Sequence, residues 1–141
     1  MTVEVRWYLP GRILYCYDVY SVEERIERNR KILHLMDTEG QPPKVHTLID
    51  FSSTDYGNYP ANLQDMIDLH ESNDELRAGR DALVQHPLQG WIISIGARNQ
   101  TLTSNANVMA GRMHYNRRSV DTLEDALTFL QKIDNTLVFE E

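Results

Sequence analysis

Two short apolar runs meet at Pro10-Gly11, and from there helix-like and strand-like stretches take turns along the rest of the chain. This order constrains the fold more than any other feature. A tight turn joins antiparallel neighbours, whereas each strand-helix-strand crossover returns the chain parallel to its start. The pattern therefore predicts the α/β class: a single mixed sheet of about five strands, opened by a β-hairpin, with helices packed on it. The 141 residues suffice for one continuous core and suggest one domain over 1–141.

Val3, Val5 and Trp7 alternate with Glu4 and Arg6, and Ile13 to Val19 reads as the second hairpin strand across the Pro-Gly turn. Ser21 with Glu24 forms a capping box for a first helix. Its apolar stripe is Val22, Ile26, Leu33 and Met36, flanked by Ile32 and Leu35, with Glu23, Glu27, Arg28 and Arg30 assigned to water. Val45 to Phe51 suits a strand covered on both faces.

A helix is predicted from Ala61 to about Ala78 on Leu63, Met66, Ile67 and Leu69, then an irregular segment from Gly79 to Pro87. Trp91 to Ala97 is the strongest buried-strand pattern, and it should lie with Ile92, Ile93 and Ile95 beside Leu48 and Ile49. A helix over about 102–112, a short polar strand from His114 to Val120, and a helix capped by Asp121 with Glu124 complete the series. Residues 135–141 form a flexible or docked tail.

The charge balance narrows the function. Fourteen Lys and Arg against 21 Asp and Glu give a net charge of -7, which disfavours nucleic acid as a partner. No run reaches the roughly 20 apolar residues of a membrane span, and the first residues lack a signal-peptide pattern, so no membrane association and a cytoplasmic location are expected. The single Cys16 lies mid-strand between tyrosines, where a small buried hydrophobe is the natural role.

His34, His46, His70, His86 and His114 are scattered with no metal-ligand spacing, so no metal and no cofactor are expected. Asp65 with Asp68 and His70 with Glu71 read as solvated helix faces. No glycine-rich phosphate loop is present. Catalytic residues are expected at none of these positions, although Asp50, Asp55 and His46 near the strand ends are the ones an enzyme would use.

Ligands in open α/β sheets bind at the carboxyl ends of strands, and two polar exits stand out there. One runs through Asp50, Ser52, Ser53, Thr54, Asp55 and Tyr56; the other through Arg98, Asn99, Thr101 and Thr103, where a guanidinium and helix-start amides could hold an anion. Arg112, Arg117 and Arg118 with His114 make a local basic spot, read as a solvated edge. Homodimerisation is suggested by the tyrosine-rich hairpin and by Leu137-Val138-Phe139.

The element order, the strand end Asp50-Phe51-Ser52, the strand Trp91-Ile92-Ile93-Ser94-Ile95-Gly96 and the closing Ser119-Val120-Asp121-Thr122-Leu123-Glu124-Asp125-Ala126-Leu127 together resemble the STAS domain of anti-sigma-factor antagonists and sulfate-transporter cytoplasmic domains, over about residues 3–134. The resemblance implies a non-catalytic regulatory module that binds a protein partner. In antagonists of that family a serine phosphoswitch follows in an Asp-Ser-Ser-Gly-like segment; here the segment reads Asp55-Tyr56-Gly57-Asn58, with no serine between the Asp and the Gly. Ser52 and Ser53 are the remaining phosphorylation candidates. The alternative is a small-ligand or anion sensor working through the exit near Arg98.

Overall fold

The computed structural model describes residues 3–19, 21–53, 67–69, 71–97 and 100–139. The strands are β1 (Val5–Leu9), β2 (Ile13–Tyr17), β3 (Val45–Asp50), β4 (Gln89–Ile95) and β5 (Asn116–Val120). The helices referred to below are α1 (Val22–Glu39), α2 (Asp74–Gln85), α3 (Gln100–Met113) and α4 (Leu123–Ile133). One five-stranded mixed sheet has the order β1-β2-β3-β4-β5, antiparallel at the hairpin and parallel elsewhere. Gly11 makes the hairpin turn at φ +77°, and a Cβ there would lie 2.5 Å from the Gln41 side chain.

The steps β2 to β3, β3 to β4 and β4 to β5 all move the same way along the sheet. Crossovers of one hand then leave their helices on one face. Accordingly Leu14, Cys16 and Val45 pack with Ile32 and Met36 of α1 and Leu83 of α2. The alternate strand residues Ile13, Tyr15, Leu48, Ile93 and Ile95 face the other way, where α4 covers them with Ala126 and Leu130. The expected pairing of the central strands holds, with Leu48 opposite Ile93 and Asp50 opposite Ile95.

Several local expectations are corrected. The segment from Gly79 to Pro87 is not irregular: most of it is α2, capped by Asn73, whose side chain accepts from the Leu76 N–H at 3.0 Å. Gly79 is there for packing, since a Cβ on it would already touch Asn29 of α1 at 3.5 Å. The single helix expected from Ala61 to Ala78 is likewise revised, because residues 67–69 are helical but the chain breaks at Ser72-Asn73; Ala61, Leu63 and Met66 lie outside the described residues. Thr122, not Asp121, caps α4 by accepting from the Asp125 N–H at 3.1 Å. His114 ends α3 at φ +59° and is not part of the strand that follows.

The segment after α4 is docked on its own domain. Leu137 is only 9% exposed within the α4-side core, Phe139 packs against the same cluster, and Val138 alone of the three points outward. Two of the three apolar residues that suggested a dimer contact are therefore used internally. The docking is held by Arg12 in the hairpin turn, which donates to Asp134 Oδ2 at 2.7 Å, Thr136 Oγ1 at 2.9 Å and the Lys44 carbonyl at 2.8 Å. His46 joins them: its Nδ1 accepts the Trp91 N–H at 3.0 Å, so Nε2 carries the proton and donates to Asp134 Oδ2 at 2.9 Å.

Candidate functional site

Strand alternation sends Thr47, Ile49, Ile92, Ser94 and Arg117 to the face covered by α1, α2 and α3. Thr47 and Ser94 are short, and where they meet the helices a cavity of about 180 Å³ remains. Its apolar wall includes Ile32, Leu83, Met109 and Met113. Asp18, Phe51 and Ala97, each just beyond the carboxyl end of a strand, line it as well.

Into this apolar setting four guanidinium groups are placed: Arg25 and Arg28 from α1, Arg80 from α2 and Arg117 from β5. The buried stripe of α1 is Arg25, Asn29, Ile32 and Met36, with Arg25 and Asn29 each 7% exposed. The expected stripe thus loses Val22 and Ile26 to half-buried positions, and Arg28, assigned to water, lines the cavity instead. Burial pushes the Arg25 pKa down to about 10, with Arg28 acting the same way and Asp18 against it. Arg25 therefore remains charged at neutral pH. Burial raises the Tyr115 phenol, opposed by Arg117, Arg80 and Arg28, so its hydroxyl stays protonated with three cations around it.

The four cations differ in compensation. Arg80 has carboxylates at hand, Asp81 at 3.1 Å and Glu71 at 3.3 Å. Arg117 donates only to neutral oxygens among the described residues: Ser94 Oγ at 2.6 Å, Asn107 Oδ1 at 2.8 Å and Ser119 Oγ at 3.0 Å. Burial lowers its pKa, against the Tyr115 phenol. Two buried polar atoms of cavity-lining side chains, Arg28 Nε and Gln89 Oε1, have no hydrogen-bond partner among the described residues. A guanidinium without a carboxylate among the described residues, in the same cavity as an unpaired donor, suits an anion better than a cation or a neutral hydrocarbon.

The residues singled out from the sequence are placed around this cavity rather than in it. Asp50 accepts from the Ser52 N–H at 2.8 Å, from Ser52 Oγ at 2.6 Å and from the Tyr15 hydroxyl on the α4 face. Burial raises its pKa, but these hydrogen bonds prevail and hold the carboxyl below its ordinary value. Ser52 and Ser53 are exposed. The chain segments just beyond β3 and just beyond β4 are adjacent, for a Cβ on Gly96 would contact Ser52 at 3.5 Å. Thr103 lines an adjoining groove beside β5, with Asn107, Gly111 and Arg118, that shares Tyr115 and Arg117 with the cavity. Thr54, Asp55, Tyr56, Arg98 and Asn99, and the side chain of Thr101, lie outside the described residues.

The basic spot at Arg117 and Arg118 is not a single solvated edge. Neighbouring strand positions face opposite ways, so Arg117 enters the cavity while the Arg118 guanidinium lies 4.4 Å from the Phe129 ring centre on the α4 face. Cys16 is buried as expected; burial raises its thiol to about 11, and Sγ lies 3.7 Å from the Leu48 carbonyl. Among the described residues no group of three or more His, Cys, Asp and Glu could hold a metal ion, and no helix is long and apolar enough to cross a membrane. The cavity was signalled in the sequence by Arg25 and Asn29, one helical turn apart and in phase with Ile32 and Met36, and by the lone polar Ser94 inside Trp91-Ile92-Ile93-Ser94-Ile95. Family models, curated proteins and solved structures yielded no match to the chain.

Proposed function

We propose that this protein is a non-catalytic binding domain that takes a small anion into the cavity between its sheet and α1, α2 and α3. The observation carrying this reading is Arg117, a half-buried cation hydrogen-bonded among the described residues only to neutral oxygens. A buried charge is costly unless paired, and a bound anion would supply the pairing. The reading keeps the anion-sensor alternative and moves its centre from the exit near Arg98 to the arginines that line the cavity.

Thermal unfolding with phosphate, sulfate and small carboxylates tests it. A ligand at a hundred times its Kd stabilises by about 2.7 kcal/mol, a rise of roughly 8 °C for a chain of this size. Such a rise is expected with at least one of these anions in the wild type and is expected to vanish in Arg117→Gln. No rise with any of them would overturn the reading.

A regulatory, STAS-like role has one observation in its favour. Phe51 lines the cavity while its neighbours Ser52 and Ser53 are exposed, so a ligand and a protein partner would share one strand exit. Hydrogen exchange of the amides of residues 51–53 should then slow when the stabilising anion is added. Unchanged exchange there would leave the cavity without a route to the surface.

A further inference from the structure

The unpaired groups in the cavity differ in kind, and together they describe an occupant. Arg28 Nε is a donor and calls for an acidic acceptor; Gln89 Oε1 is an acceptor and calls for a donor. Their backbones come from opposite ends of the sheet. Arg28 belongs to the second turn of α1, which starts beyond the carboxyl end of β2, whereas Gln89 is the first residue of β4. Between them the wall is apolar, with Ile32, Ile92, Met109 and Met113.

The volume sets the size. A 150 Å³ cavity of aliphatic and aromatic side chains accommodates a benzene ring, so 180 Å³ admits an apolar body of about that size with little to spare. That excludes a nucleotide. An inorganic oxyanion fits but would set a hydrated ion against apolar walls and leave the Gln89 oxygen unmet.

Building on the anion-site reading above, we infer that the ligand is a compact organic monocarboxylic acid with an apolar body and a hydrogen-bond donor, such as a hydroxyl, at the end away from its carboxylate. The carboxylate pairs with Arg28 in the field of Arg117, the body fills the apolar middle, and the hydroxyl donates to Gln89 Oε1.

Titration calorimetry on the full chain tests this with two pairs of probes, benzoate against 4-hydroxybenzoate and hexanoate against 6-hydroxyhexanoate, with inorganic phosphate and sulfate alongside. In at least one pair the hydroxylated acid is expected to bind about tenfold tighter, the typical effect of satisfying a buried polar atom. Gln89→Leu should abolish that preference while retaining binding of the parent acid. The comparison within each pair is made on the wild type and needs no folded variant. Equal binding within both pairs, or a preference that survives Gln89→Leu, overturns the donor assignment. Arg117-dependent binding of phosphate or sulfate without either acid overturns the organic ligand but leaves the anion site standing. No Arg117-dependent binding of any probe removes both.

Discussion

Asp134→Ala is expected to lower the unfolding free energy by about 3–5 kcal/mol at pH 7, the usual cost of removing one partner from a buried ion pair. The carboxylate and Arg12 are each about one-tenth exposed, at 10% and 11%, and both Arg12 and the His46 Nε2–H end on the same oxygen, Oδ2. Without it the Arg12 guanidinium loses its counter-ion and a buried imidazole loses its acceptor. The ring has no room to turn elsewhere, since Gly90 is bare where a Cβ would lie 2.5 Å from His46 Nδ1. Urea denaturation measures the loss; a cost below about 1 kcal/mol would mean that the network does not hold the tail.

The same network makes stability fall with acid. Burial pushes His46 below its ordinary 6.5, and this outweighs Asp134, which favours the charged ring. Below about pH 6.5 the unfolded chain therefore takes up a proton that the folded one resists, and stability falls. Burial pulls the Asp134 carboxyl upward, but hydrogen bonds from Thr136 and His46 and the charge of Arg12 hold it down at about 2. A second loss follows between 3.8 and about 2, where the unfolded carboxyl is protonated and the folded one is not. Asp134→Ala should lack this second loss in a pH series of denaturation curves.

Arg28→Met is expected to act in the opposite direction on stability and to weaken ligand binding. Its Nε is buried without a partner among the described residues, and its charge acts unfavourably on Arg25. Methionine reaches about as far as the Arg28 Nε position, brings an apolar end to the wall that holds Ile32 and Met109, and removes both penalties. A gain of about 1–2 kcal/mol in denaturant unfolding is expected, with anion binding weakened at least tenfold. A stable variant that binds more weakly separates a site maintained for a ligand from a packing element. If Arg28→Met destabilises the fold, the arginine is structural and the cavity loses its first anchor.

The parts of the fold that the sequence predicts correctly are those set by local chemistry or strand period. The Ser21 capping box and the alternation of β3 and β4 depend on neighbours a few residues away, and both are as expected. The cavity depends on which face of a helix meets the sheet. An arginine in an amphipathic pattern reads as solvated unless the opposing surface is known, so Arg25, Arg28 and Arg80 could not be assigned inward by period alone. Gly79 read as a breaker because the closeness of Asn29 on α1, 50 residues earlier in the sequence, is a tertiary fact. The link from Arg12 to Asp134 spans 122 positions and follows no local rule.

That span has a consequence for how the protein is made. Arg12 leaves the ribosome well before the carboxylate that neutralises it, and that carboxylate and the Leu137 that closes the core above Ile13 and Leu130 emerge after all five described strands. During translation the nascent sheet therefore carries an open apolar flank. The docking of Leu137 follows the synthesis of all five described strands, and until then the exposed flank is a surface for chaperones.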